Sequence, residues 1–390
     1  MAKSILIFTT ETAPSFAGDG RNALLLAKTL IAKGISISIC CLNPGGILPP
    51  REVINGIDIY RIRYFYNSFF GRLLTRDLIS HFLTREARSY STWMIYGAMP
   101  GYQLILFFGW VLHKKIIFRS TLYGFDDIRT LIKEKNLLTR IIRKWLFSHI
   151  DVYYALNSAF EKEWCTIFSK NRIKIFTSPQ GVDSNRFSPV VSEKKKVLRR
   201  KFNLPEKEFI LLTVGHLTER KGYPELFYML YSLHKDFLLI HVGRSNAPSW
   251  DALSVRNSEM GFNLVKGKEL LGQKISFMNV CENIEEYYHA ADIFILSSTA
   301  EGFPSNSTNE AMSCGLPVLI RNIPGYDDYI AEGMNGLVFG DKEEFIQKIQ
   351  ELFEDQTLRS RIGTNARATA VNRLDIKKIA ERFIQFLSAI

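Results

Sequence analysis

The chain has 390 residues, 46% of them hydrophobic and 23% charged, which fits two globular domains; no internal repeat or low-complexity segment breaks it. Five cysteines (Cys40, Cys41, Cys165, Cys281, Cys314) form no CxxC pair and no cluster with histidine, which excludes a cysteine-held metal centre and reads as reduced core residues of a cytosolic protein. The net charge of +11 is one-sided: 25 Lys and Arg stand against 13 Asp and Glu up to Pro189, and 25 against 26 after it. The N-terminal half is therefore expected to face something anionic, nucleic acid or a phospholipid surface.

Met1-Ala2-Lys3 runs straight into a strand, Ser4 to Thr9, so no signal peptide is expected. The longest strongly apolar run, Leu104 to Leu112, is about half of the ~20 residues that a membrane span needs. The first strand leads through a long loop to a helix at about Arg21 to Lys33 and a second strand ending Cys41-Leu42-Asn43, a βαβ unit. Gly18-Asp19-Gly20-Arg21-Asn22-Ala23 satisfies GxGxxA in form. The loop before Gly18 is too long for a dinucleotide fingerprint, however, and the second strand lacks the ribose-binding acid. A plain flexible loop is the alternative reading.

Tyr60 to Arg88 and Leu131 to His149 mix aromatic and aliphatic residues with arginine and lysine. Each admits two readings, a helix lying in a membrane interface or an ordinary helix burying one face. Between them, Trp93 to Gly97, a helix around Gln103 to Lys115 and a strand Ile116 to Leu122 continue the alternation. They end in Ser120 to Asp127, where Asp126 and Asp127 read as loop acids that contact substrate or cap the next helix; two carboxylates alone make no magnesium site. Strands at Val152 to Asn157 and Ile173 to Thr177 follow, then Pro179 to Pro189, and Ser192 to Arg200 reads as a solvated connection.

The second domain restarts with the apolar strand Phe209 to Val214, the turn Gly215-His216-Leu217-Thr218-Glu219-Arg220-Lys221-Gly222 and a helix, Tyr223 to His234. Strands at Leu238 to Gly243 and from Ile275 precede Ala291 to Leu296, a buried strand of a parallel sheet. After it, Gly302, Pro304, Ser305, Asn306 and Ser307 are turn formers, which places Glu301 on a loop and Glu310 in the first turn of a helix. A helix N-terminus suits a phosphate, and Glu310 beside it suits a sugar hydroxyl; the alternative is that both glutamates cap the helix. A strand Gly315 to Ile320, the loop Ile323-Pro324-Gly325 and a last helix within Arg373 to Ile390 complete the chain.

Four of these segments in this order, PQGVD, GHLTERKG, EGFP…NEAM and IPG, resemble the retaining GT4-type (group 1) glycosyltransferases, and the likeness covers nearly the whole chain. It implies an α/β chain of the GT-B fold, two Rossmann-like domains facing an interdomain cleft. Residues 1–190 would form the acceptor domain, 191–372 the donor domain, and 373–390 a helix returning to the first. It implies Lys221, Arg220, Glu301 and Tyr123 as catalytic residues. Gly18, Gly20, His216, Phe303, Pro304, Ser305, Asn306, Ser307, Thr308 and Glu310 would bind the donor, and Phe187 with Pro189 would pin the hinge. One departure stands in the signature: eight residues separate Glu301 from Glu310 where the family has seven. In addition, Tyr123 and His216 stand where the family often has His and Arg.

The resemblance thus implies transfer of a sugar from a nucleotide-diphosphate sugar to a glycan or lipid-linked acceptor, with retention, in cell-surface polysaccharide or lipopolysaccharide assembly. No cofactor and no metal are expected; the donor is a co-substrate. The expected setting is the cytoplasm, with a peripheral position on the inner face of the plasma membrane, an anionic surface met by the basic first domain, as the further option. Nucleic acid falls away as a partner, since the basic half carries no recognised nucleic-acid motif. Two other readings stay open, a GT-B sugar-nucleotide epimerase and a non-catalytic nucleotide-sugar-binding subunit.

Overall fold

The computed structural model describes residues 4–14, 18–65, 68–133, 136–168, 173–244 and 254–390. Met1 to Lys3, and residues 66–67 and 134–135 of the two basic aromatic stretches, lie outside them. Two compact units make up the chain, Met1–Gly181 with Ile379–Ile390, and Val182–Lys378.

The first unit runs β1 (Ser4–Thr9), α1 (Gly18–Ile31), β2 (Ser36–Pro44), β3 (Arg51–Ile54), β4 (Ile57–Tyr64), α2 (Phe69–Thr84) and β5 (Thr92–Tyr96). It continues with α3 (Tyr102–Val111), β6 (Lys115–Arg119), α4 (Ile128–Ile132), α5 (Leu137–Phe147), β7 (Val152–Ala155), α6 (Ser158–Ile167) and β8 (Lys174–Thr177). The sheet order is β3-β4-β2-β1-β5-β6-β7-β8, parallel throughout except for β3 against β4. Those two form a hairpin whose Asn55 and Gly56 both take positive φ, the conformation that a tight two-residue turn requires. Ile5 to Phe8 of β1 are 0–1% exposed, as an apolar run in a central parallel strand should be.

α1 begins three residues before the expected helix, so Gly18 and Gly20 sit in its first turn and not in a free loop. A Cβ on Gly20 would lie 1.9 Å from the Glu11 carbonyl oxygen. The missing side chain lets that first turn rest directly on the segment that leaves β1.

The second unit runs α7 (Ser192–Lys201), β9 (Phe209–Val214), α8 (Tyr223–Tyr231), β10 (Phe237–Val242), α9 (Ser254–Leu271), β11 (Ile275–Met278) and α10 (Glu285–Ala290). Then come β12 (Ile293–Leu296), α11 (Asn306–Ser313), β13 (Val318–Arg321), β14 (Leu337–Phe339), α12 (Lys342–Glu354), α13 (Gln356–Thr369) and α14 (Ile376–Ser388), which from Ile379 onward belongs to the first unit. The sheet is β11-β10-β9-β12-β13-β14, all parallel. Each unit is thus a Rossmann-like parallel sheet flanked by helices.

The expected solvated connection, Ser192 to Arg200, is instead the helix α7, and it buries Leu198 and Arg199. The Arg199 guanidinium donates to the carbonyls of Ala290, Glu206 and Glu208 and pairs with Asp292 at 2.7 Å. Removing one partner of such a buried pair costs about 3–5 kcal/mol.

Candidate active site

In an open parallel sheet, ligands bind beyond the carboxyl ends of the strands where the order reverses. In the second unit that place is between β9 and β12, and the two loops leaving these strands are bound to each other. Gly222, at φ +66°, would drive a Cβ to 2.2 Å from the Ser297 carbonyl oxygen, so only glycine allows the loops to meet here. The Thr299 N–H donates to the Arg220 carbonyl at 2.8 Å, and the Ser297 hydroxyl to the Lys221 carbonyl at 2.7 Å.

This backbone arrangement brings three sequence-expected residues together. Lys221 Nζ donates to Glu301 Oε1, Arg220 reaches the same oxygen at 3.4 Å, and the Ser298 hydroxyl donates to it at 2.8 Å. The Lys221 and Glu301 side chains are 11% and 8% exposed, and that of Arg220 34%. Burial lowers the Lys221 pKa; Glu301 opposes the shift and Arg220 adds to it. Burial raises the Glu301 carboxyl, but the Lys221 and Arg220 charges and the hydrogen bonds from Lys221 and Ser298 outweigh it, and the pKa falls below its usual value. His216 lies in the same turn beside the buried His241, whose imidazole is pushed down to about 3 by burial first and by His216 second.

α11 starts after Ser305, whose hydroxyl accepts from the Thr308 N–H at 3.2 Å and lies 2.8 Å from the Thr308 hydroxyl and 3.2 Å from that of Ser307. Phe303 and Thr308 are 0% exposed, and the Phe303 ring packs in the core 6.5 Å from that of Tyr329. Pro304, Ser307 and Asn309 are buried as well, and Asn306 is half-buried. The Ser305 hydroxyl thus ties the Ser307 and Thr308 hydroxyls into the turn that opens α11. Glu310 is the fifth residue of α11, just past the expected first turn; its Oε2 accepts from the Tyr288 hydroxyl at 2.8 Å. The same hydroxyl lies 3.2 Å from the Ser307 carbonyl, so that oxygen shares its one proton with Glu310.

Phe187 anchors in the second unit, its ring 5.9 Å from that of Tyr288, while Arg367 donates to the carbonyls of Ser184, Phe187 and Ser313.

In the first unit, Gly18 and Gly20 flank Asp19, which accepts from the Thr9 hydroxyl at 3.2 Å and whose pKa is raised by burial. The fully buried Arg119 donates to Asn22 at 2.7 Å between the rings of Tyr96 and Tyr154. Tyr123 donates to Glu163 at 2.8 Å; burial and that bond push its phenol up to about 12. The two loop acids part ways. Asp126 accepts from the Thr121 and Leu122 N–H groups at 2.8 and 2.7 Å, and burial pushes it up to about 6. Asp127 caps α4 through Thr130.

Ser298 and Tyr288 escaped the sequence reading. Ser298 stands three residues before Glu301, a weak signal that a serine in a polar loop cannot carry alone. Tyr288 sits in the short helix α10, which reads Glu-Glu-Tyr-Tyr-His-Ala, and nothing local points it at Glu310.

Residues 194–369 match the family model described as Glycosyl transferases group 1. The chain is 25% identical over 268 residues (67% of each chain) to the "Putative glycosyltransferase EpsD" of Bacillus subtilis. It is 29% identical over 223 residues (55% of this chain, 54% of the relative) to the "N,N'-diacetylbacillosaminyl-diphospho-undecaprenol alpha-1,3-N-acetylgalactosaminyltransferase" of Campylobacter jejuni. The matched segments span about half to two thirds of the length of these relatives. The fold resembles that of sucrose-phosphate synthase from Thermosynechococcus elongatus, with a TM-score of 0.81 at 18% identity over 99% of this chain and 98% of that one.

Proposed function

Residues 194–369 belong to the group 1, GT4-type glycosyltransferases on the GT-B fold, and from that premise we propose a specific transfer. The chain moves a sugar from a UDP- or GDP-sugar to a glycan or lipid-linked acceptor, with retention at the anomeric carbon and no metal ion, in cell-surface polysaccharide or lipopolysaccharide assembly. It works in the cytoplasm, at the inner face of the membrane that holds the acceptor. The relative from Campylobacter jejuni is named for a diphospho-undecaprenol acceptor, which supports the lipid-linked class.

The observation that carries this reading is the convergence of Lys221 and Arg220 on one oxygen of Glu301 beyond the ends of β9 and β12. A departing nucleoside diphosphate gains negative charge as the anomeric C–O bond breaks. Cations already fixed in a half-dry site stabilise that charge without reorganising, and removing one such group typically costs about 10²–10³ in rate. Glu301 holds the two cations, Ser298 holds Glu301, and the α11 N-terminus offers backbone N–H groups to phosphate or sugar oxygens. Glu310, oriented by Tyr288, takes the ribose hydroxyls. The new bond forms on the face the diphosphate leaves, and the acceptor's proton passes to the departing phosphate oxygen.

Thermal shift with UDP, GDP and their common sugar conjugates, with and without EDTA, tests the reading on wild type and Glu310→Ala. A ligand at 100 times its Kd stabilises by ~2.7 kcal/mol. One nucleotide family should shift the wild type regardless of EDTA and leave Glu310→Ala unshifted. No shift from any nucleotide sinks the proposal.

A further inference from the structure

Three neighbouring helices of the first unit turn apolar side chains outward. α5 buries only Leu146 and Phe147, in its last turn. Leu137, Leu138, Ile141, Ile142 and Trp145 recur at helical spacing on one face, and all are exposed. This is the reverse of an ordinary surface helix, which puts its apolar stripe on the core. α3 packs alongside and adds the exposed Phe107 and Trp110; the Trp110 ring meets Trp145 edge-on at 4.8 Å, so the two faces form one surface. α2 packs against α3 as well and adds Phe70, 80% exposed, and the exposed Leu73.

The charges on the three helices are predominantly positive. Arg72, Arg76, Arg140, Arg143 and Lys144 stand against a single acid, Asp77. Exposed contiguous apolar surface of this kind marks an interaction site. A second copy of the chain fits it poorly, because a two-fold contact lays the patch on itself and sets cation against cation. Anionic phosphate above an apolar layer fits both features at once, and tryptophan favours that boundary. Among the described residues, no helix is long and apolar enough to cross a membrane, so the occupant that fits is the face of a bilayer and not its full thickness.

We propose that the outer faces of α2, α3 and α5 form a docking surface for an anionic lipid bilayer. Trp110, Ile141, Ile142 and Trp145 enter the acyl boundary, and Arg72, Arg76, Arg140 and Lys144 meet lipid phosphates. Its use, bringing the enzyme to a lipid-linked acceptor, rests on the transferase reading; the binding itself does not.

The full chain should co-sediment with vesicles of phosphatidylcholine containing phosphatidylglycerol, and only weakly with phosphatidylcholine alone. The double variants Ile141→Glu/Trp145→Glu and Arg140→Glu/Lys144→Glu alter exposed side chains. Each should keep the wild-type melting transition and lose about tenfold or more in vesicle affinity. Wild type that stays in the supernatant with both lipids overturns the proposal. So does an apolar variant that binds like wild type, or a wild-type dimer in light scattering that the apolar variant splits. Nucleotide thermal shift on the same samples separates the two claims: a retained shift without vesicle binding sinks only the docking surface.

Discussion

Glu301 collects two cations and a hydroxyl on one carboxylate oxygen, in a place where burial works against the charges of Lys221 and Glu301. Buried ion pairs are weak sources of stability, because desolvation offsets most of their attraction. The proposed transfer gives this arrangement a use: Glu301 holds Lys221 and Arg220 together beyond the ends of β9 and β12. Lys221→Ala should cut kcat by about 10²–10³. It should also lower the melting temperature, since Glu301 is left buried with Arg220 as its remaining cation. Adding Glu301→Gln removes that uncompensated charge, so the double variant should recover much of the melting temperature and none of the turnover. Calorimetry beside a radiolabelled transfer assay reads both. Recovered turnover in the double variant would mean that Lys221 serves only to neutralise Glu301.

Among the elements, α1 and α5 show two different limits of reading a sequence. The αβ alternation around α1 is legible in its apolar spacing, but its start is not. Turn-forming glycines suggest a loop, and only the approach of Glu11 explains why the helix runs through them. Gly20→Ala must push the first turn of α1 off that carbonyl. An overpacked contact of this kind typically costs about 1–3 kcal/mol. A loss of that size in denaturant unfolding is the expected result, whereas an unchanged midpoint would mean that the turn relaxes freely. For α5, the spacing of Leu138, Ile141, Ile142 and Trp145 declares an apolar face, yet periodicity does not say what that face meets. The tertiary structure turns it outward. α7 errs in the opposite direction: a run of lysines and arginines looks solvated until Asp292, distant in sequence, neutralises Arg199.

For the molecule as a whole, the first unit depends on the end of the chain. Phe383 is 0% exposed, with its ring 5.4 Å from that of Phe176 and 5.9 Å from that of Tyr154, and Phe386 lies 4.9 Å from Phe176. Phe383→Ala should cost the first unit about 3–5 kcal/mol. In calorimetry, the transition insensitive to nucleotide should move down while the nucleotide-sensitive one stays. A shift of both together would show that the units unfold as one. By itself, the sequence determined the strand runs, the αβ alternation and the ordered motifs that mark the group 1 glycosyltransferase domain. These follow from local apolar spacing and turn chemistry, which each segment carries with it. The tertiary structure alone decided that Tyr288 orients Glu310, that Ser298 joins the Glu301 cluster, that α1 begins at Gly18, and that α5 faces outward. Each depends on a partner brought close by folding, and a hydrogen bond or a packed face leaves no periodic trace in the residues between.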